Sequence, residues 1–423
     1  MFHSKEFFRT FLVLAILFML PGCSPTSPGG SATGDSATLE RDTIVALIAN
    51  PYENVDWATF GRFKTALHVH TTNSDGSATT AQMVEEHYRK GFDILAITDH
   101  NYLTPSWDQT RINLERDPPR EPVTAERRAE IEAGVGRDGR GMIGIDNTNE
   151  QSRVDHVNSF FVNFNNEEGQ SLEEVLTIIA DLGGISRLNH PGRYTRAFRP
   201  IRDDDGNNED GIAISRDPAQ IQKYVDIFMA FPSCVGMEII NKLDHESAAD
   251  RILWDGILMQ TMPQDRPVWG FSDDDSHSPG AVGYAWNVFL MPNLCQENFR
   301  TVMETGAFYA VSRVSRLDGI NNVLPSGENT PNNGGSRTEF MLSQSTPSIV
   351  SIEVSERYGT ITIAGANYDA IEWIADGVVI ATGGTLSLLE HQESVNSYVR
   401  AQLKSATGIA FTQPFGIRMT TPL

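Results

Sequence analysis

The sequence predicts an α/β protein, built on a parallel sheet as either a barrel or a doubly wound fold, with a small all-β region after it. Three observations predict this. Strand-like and helix-like apolar periods alternate for roughly 250 residues. Clusters of His, Asp and Glu follow the strand-like runs, where such folds gather their chemistry. Beyond about Ser348 the runs become short, β-rich and separated by Gly and polar turns.

The first unit runs from Ala66 to Asn101 and reads as strand, loop, helix, strand, with His68, His70 and Asp75 at one end and Asp99 and His100 at the other. Thr79-Thr80 opens its helix, in which Met83, Val84, His87 and Tyr88 recur at helical spacing until Gly91. His87 lies on that helix and is no ligand candidate. Phe92 to Thr98 is a continuous apolar run, as in a strand buried on both faces. An Arg-, Glu- and Pro-rich stretch from Ser106 to Arg140 reads as a helical insertion, Met142 to Ile145 as a strand, and His156 opens another strand.

Ser171-Leu172-Glu173-Glu174 is a capping box opening a helix that Gly183-Gly184 ends; a strand to Leu188 exits through Asn189-His190-Pro191-Gly192-Arg193. Residues 202–211 form an acidic loop without EF-hand spacing. Helices then follow Asp217-Pro218 and cover Glu246 to Met262, with a strand between them from Val235 to Ile240; Pro267 to Phe271 leads into Ser272-Asp273-Asp274-Asp275-Ser276-His277. Trp286 to Met291 and Phe308 to Ser312 are strands flanking a helix from Gln296 to Glu304.

Lys5 and Arg9 precede an apolar run from Phe11 to Leu20, placed like a signal-peptide core and too short for a comfortable membrane span. Leu20-Pro21-Gly22-Cys23 resembles a bacterial lipobox, with Pro21 in place of the usual small residue. The expected organisation is a lipoprotein signal peptide (1–23), a Pro/Gly/Ser/Thr tether (24–40), a catalytic domain (41–313), a linker (314–345) and a β-sandwich-like module (346–423). A lipid on Cys23 would hold the protein in the bacterial cell envelope, periplasmic or surface-facing. Cys234 and Cys295 allow at most one bridge and are expected as buried thiols. The net charge of −22 speaks against nucleic acid as a partner.

Six of the ten His (68, 70, 100, 156, 190 and 277) follow or begin strands of the alternating region. His68 and His70, two apart on a strand, project from one face. Imidazoles converging beside Asp75, Glu150 and Asp275 suit divalent metals, and so many donors suit two or three ions.

The stretches His68-Val69-His70-Thr71-Thr72-Asn73-Ser74-Asp75-Gly76, Ile97-Thr98-Asp99-His100-Asn101, the run from Asn149 to His156, Asn189-His190-Pro191-Gly192 and the run from Ser272 to His277, in this order, resemble the PHP (polymerase and histidinol phosphatase) metallohydrolases over Thr65 to Ser312. The resemblance implies a distorted (β/α)7 barrel and a two- or three-metal centre of zinc, manganese or iron. Carried over position by position, it implies His68, His70, Asp75, His100, Glu150, His156, His190, Asp275 and His277 as ligands. In the third motif Asp146 competes with Glu150, which is preferred for its spacing from His156 and its longer carboxylate. With the lipobox and the β module, the chain resembles the PHP-domain lipoproteins of bacteria.

The expected reaction is hydrolysis of a phosphomonoester or phosphodiester of a small molecule, water acidified between the metals attacking phosphorus in line. Asp99 is expected to orient a ligand or the water, or to accept a proton. Arg193 either forks onto a phosphate or is an exposed loop arginine. Glu238 either shapes the pocket or stays solvated. Two other readings stand beside this one: the same metals cleaving a carbamate, ester or amide, and a non-catalytic surface binding lipoprotein.

Overall fold

The computed structural model describes residues 44–166, 168–194, 213–242, 247–313 and 344–420. The expected signal peptide and tether, the acidic loop at 202–211 and most of the linker lie outside them.

The described residues pack as one compact unit. β1 (Ile44–Ala49) and β2 (Gly61–Ala66) come first, and α1 (Thr80–Arg89) connects β2 to β3 (Ile94–Leu95). Thr79 caps α1 through a reciprocal bond pattern with Gln82, which satisfies two otherwise unpaired amides of the first turn. Its buried face carries Met83, Val84, His87 and Tyr88, and Gly91 ends it at φ +79°. His87 donates from Nδ1 to the Met83 carbonyl at 2.7 Å, so it is a core residue. α2 (Ala125–Glu132) leads to β4 (Ile143–Gly144), and β2, β3 and β4 pair in parallel.

A second sheet holds β5 (Asn149–Gln151), β6 (Val157–Phe160), β7 (Ile185–Leu188), β8 (Cys234–Asn241) and β9 (Trp269–Asp273) in that order. α3 (Leu172–Asp181), α4 (Pro218–Ala230) and α5 (Ser247–Thr261) connect β6 to β7, β7 to β8 and β8 to β9. The wholly parallel sheet expected from the alternation is corrected here, because only β7, β8 and β9 run parallel while β6 is antiparallel to both β5 and β7. The loop at 152–156 is too short for a parallel crossover. β10 (Ala285–Met291) is likewise antiparallel to β2 and to β11 (Phe308–Ser312), which follows α6 (Gln296–Thr305).

The two sheets do not close as one continuous ladder; single bridges Val69–Ser276 and His100–Glu150 join them. They nonetheless share one apolar cluster, in which Leu67, Ile94 and Ile145 meet Phe160, Ile185, Val235, Phe271 and Phe289. Burial of these side chains holds the two sheets together.

The C-terminal strands comprise a three-stranded sheet of β12 (Ser348–Ser355), β13 (Thr360–Ala366) and β16 (Thr385–Ser387), packed through Ile352, Ile361 and Leu386 with Trp373 and Leu403. The latter two belong to β14 (Ala370–Ala375) and β17 (Tyr398–Ser405); β15 (Val378–Thr382) and β18 (Gly408–Phe411) pair with them, and β19 (Phe415–Thr420) completes the module. β18 pairs with β11, and β1 pairs with β19, so ladders run across the expected boundary on both sides. Cys234 is buried as expected, whereas Cys295 is half-exposed and donates to Asn293.

Candidate metal centre

Every parallel strand of the first and second sheets except β4 leads into a polar side chain of one cluster. His68 and His70 follow β2, His100 follows β3, His190 follows β7, Glu238 and Asn241 close β8, and Asp275 and His277 follow β9. The reversed β6 explains the other two: running antiparallel to β7, it sets its first residues beside β7's last, which brings His156 and the facing Glu150 of β5 to the same end.

Glu150 is the hub. Its Oε1 lies 2.9 Å from His156 Nδ1 and 3.1 Å from His68 Nε2, and its Oε2 2.7 Å from His100 Nδ1 and 3.4 Å from His70 Nε2. Asp275 Oδ1 lies 3.0 Å from His70 Nε2, 3.4 Å from His68 Nε2 and 3.4 Å from His277 Nδ1. Asp75, more exposed, faces His277 at 3.2 Å and His100 at 3.6 Å. Four overlapping donor groups result: His68, His70 and Glu150; His68, His190 and Asp275; His100, Glu150 and His156; and His70, Asp75, His100 and His277.

All nine residues singled out in the sequence therefore meet. Asp146, the alternative to Glu150, does not join them: it accepts from Gln296 and faces Arg128.

Whether these donors suit metal ions is tested by their hydrogen bonds. His70 Nε2, His100 Nδ1, His190 Nδ1, Glu150 Oε2 and Asp275 Oδ1 are buried and have no hydrogen-bond partner, although several lie within ion-pair distance of one another. Buried polar atoms are normally satisfied, so donors that approach without bonding are aimed at something between them. Three carboxylates, Glu150, Glu238 and Asp275, are also buried among imidazoles, a charge that positive ions would offset. The set fits hard-to-borderline divalent cations.

Electrostatics sort the imidazoles. Burial, with Arg193 beside it, holds His190 well below the usual histidine range, and burial also lowers His70, leaving both neutral and able to ligate. Burial opposes protonation of His68 as well, but Asp275, Glu238 and Glu150 together outweigh it and raise its pKa.

Glu238 was left open in the sequence and is fully buried here. It accepts from His68 Nδ1 at 2.7 Å, which turns Nε2 toward the cluster. Arg187, buried behind it, reaches Glu238 at 3.3 Å and Asp273 at 2.6 Å. Asn189 donates to Glu150 at 2.7 Å, Asn241 to Glu238 at 2.8 Å, and Lys242 Nζ sits 3.0 Å from Asp275. The sequence marks Asn241 only as a strand end and gives Lys242 no role, although its place beside that end was the available signal.

Asp99 is buried and accepts from the Thr71 amide and hydroxyl, both at 2.7 Å, and from the Ser74 hydroxyl at 2.6 Å. It fastens the loop between His70 and Asp75 and stands in none of the four donor groups. Arg193 is half-buried in a 3-10 turn and donates to Asn241 at 3.3 Å, beside His190.

No family model matches the chain, and no curated protein matches it. Solved structures similar to it include a two-domain protein from Bacteroides vulgatus containing a predicted PHP-like metal-dependent phosphoesterase, at 15% identity over 85% of this chain and 88% of that one, with a TM-score of 0.41. An amidohydrolase from Chromobacterium violaceum with bound sulfate and no metal is 15% identical over 57% of this chain and 96% of its own, at a TM-score of 0.32. A lesion-specific endonuclease from Pyrococcus furiosus is 15% identical over 58% and 56%, at 0.32.

Proposed function

We propose that the chain is a PHP-type metal-dependent hydrolase, its two sheets an opened and distorted form of the (β/α)7 barrel, acting on phosphate esters of small molecules. The observation that carries the proposal is the convergence of six imidazoles with Asp75, Glu150 and Asp275 while buried donor atoms among them lack hydrogen-bond partners.

In this reading the nine residues hold two or three divalent ions, zinc, manganese or iron. Such ions supply an acidified water and neutralise charge on the phosphoryl oxygens. Glu150, with two imidazoles within 3.4 Å of each carboxylate oxygen, would be shared between the donor groups that hold the ions. Glu238 fixes the His68 tautomer, and Asp99 keeps the His70–Asp75 loop in register. Arg193 and Lys242 flank the cluster from the His190 and Asp275 sides, where a cation orients a phosphate. The chain's net charge favours a small substrate over a polyanion.

Assays of metal-loaded protein with a phosphomonoester, a phosphodiester, an aryl carbamate and a short oligonucleotide test this directly. Turnover of the phosphoesters is expected, and His70→Ala and Asp275→Ala are each expected to lower kcat at least a thousandfold with the circular dichroism spectrum unchanged. Exclusive turnover of the carbamate would move the reaction to carbonyl carbon. Protein that binds less than one transition metal per chain and turns over nothing would be a binder.

We further propose that a lipid on Cys23 anchors the protein to the cell envelope, supported by Lys5, Arg9, the apolar run and Leu20-Pro21-Gly22-Cys23. Labelled fatty acid should enter the wild-type chain and not Cys23→Ser.

A further inference from the structure

The insertion from Ser106 to Arg140, which includes α2, carries two sorts of arginine. Arg127, Arg128, Arg137 and Arg140 each pair with a carboxylate. Arg111, Arg116 and Arg120 have no carboxylate within ion-pair distance among the described residues, although Glu115, Asp117 and Glu121 are adjacent in sequence; those three acids are exposed. In a chain of net charge −22, three cations together without an acidic partner call for an explanation.

Their position supplies one. Arg116 Nη1 and Arg120 Nε both donate to the Thr72 carbonyl, at 3.0 and 2.9 Å, and the Thr72 hydroxyl donates back to the Pro119 carbonyl at 2.6 Å. Thr72 lies in the loop between His70 and Asp75, so the insertion is pinned to the rim of the metal centre. The Arg111 guanidinium lies 4.2 Å from the centroid of the Tyr102 ring, and its amide donates to the Tyr102 hydroxyl at 3.0 Å; Tyr102 is two residues beyond His100. Burial, and then the facing Arg116 and Arg111, lower the pKa of Arg120. Guanidiniums held close together with donors left over are built for an oxyanion.

We propose that Arg111, Arg116 and Arg120 form a second anion subsite at the rim of the centre, binding a second phosphate, sulfate or carboxylate of the substrate. The inference rests on the hydrolase reading for its role in substrate choice, though not for the existence of the site. A substrate spanning both places is a bisphosphate, or a phosphoester carrying another acidic group.

The test has two arms. In the first, metal-stripped protein is titrated with inorganic pyrophosphate by calorimetry. Saturable binding is expected, weakened at least about fivefold in Arg111→Gln and further in Arg111→Gln/Arg120→Gln, the loss of charge-assisted bonds. Lys223→Gln, which removes a surface cation paired with Asp155, should leave it unchanged. Absence of binding by the wild type, or binding unaltered in Arg111→Gln, overturns the subsite. Arg111 is exposed, and the variant gives up only the guanidinium's contact with the Tyr102 ring while the amide bond to the Tyr102 hydroxyl remains, so it keeps the fold.

In the second arm, kcat/KM for a sugar bisphosphate relative to its monophosphate is measured on metal-loaded protein. The ratio should fall about fivefold or more in Arg111→Gln, and an unchanged ratio overturns the role in substrate choice. If no phosphoester is hydrolysed at all, the hydrolase reading fails while calorimetry still decides the anion site.

Discussion

At the scale of single residues, His68 shows how little the ligands position themselves. Its ring is turned by Glu238, and Glu238 is in turn held by Arg187, Asn241 and the His190 amide. Glu238→Gln keeps the shape and removes the charge that fixes the tautomer. It is expected to lower metal affinity roughly 10–100-fold, read by competition with a chelator, with little loss of stability. His87 tests the opposite case, a histidine that serves the core. Burial pushes its pKa down to about 4, so as pH falls the unfolded chain takes up the proton first, near 6.5. Its share of stability is therefore present above about pH 6.5 and lost progressively toward pH 4, up to roughly 3 kcal/mol. Urea unfolding at stepped pH should show a shallower acid loss in His87→Leu than in the wild type. His68, His70, Asp275 and His277 were legible in the sequence as His-x-His and Asp-x-His spacings at strand ends, whereas Asp75, His100, Glu150, His156 and His190 stood only as polar residues near strand ends until the resemblance to the PHP metallohydrolases implied them as ligands. Glu238, Asn241 and Lys242 were harder, since they work through partners from β2, β7 and β9 that no local pattern reveals. The backbone adds a constraint the sequence conceals: His190, Asp275 and Lys242 have φ of +32°, +43° and +56°, uncommon for residues other than glycine.

At the scale of elements, the helices were the most legible, since Thr79 with Gln82 and Ser171 with Glu174 announce their own capping boxes. Strand direction was not. An intervening helix usually marks a parallel crossover, yet α3 joins two antiparallel strands, and only tertiary packing decides that. The reversal is what delivers His156 and Glu150 to the ligand end. Beneath the cluster, buried Arg187 on β7 ties Asp273 on β9 to Glu238 on β8. Arg187→Met would leave both carboxylates buried without their cation and should cost about 3–5 kcal/mol, read as a drop in urea midpoint. If stability instead holds, the two acids have taken up protons, and the loss should reappear as pH rises.

At the scale of the whole molecule, the sequence announced a change of structural class near residue 346 but not how the C-terminal strands attach. Asp255 on α5 accepts from Arg400 Nε and Nη2, each at 2.8 Å, and from the Tyr398 hydroxyl at 2.7 Å; Gln413 bonds both the amide and the carbonyl of Gly270 on β9. Asp255→Ala removes the carboxylate that accepts both of these bonds from the buried Arg400 and is expected to cost about 3 kcal/mol or more. Calorimetry should show one transition at a lower temperature rather than two, because ladders as well as this pair run between the regions. The pairing of β1 with β19 carries a further consequence for synthesis. A ribosome delivers β1 among the earliest of the described residues and its partner among the last of them, so the sheet edge at β1 stays without this partner until residues 415–420 have been made. The chain is thus kept from sealing prematurely, and a nascent protein stalled before residue 415 would present an open strand to chaperones or to its neighbours.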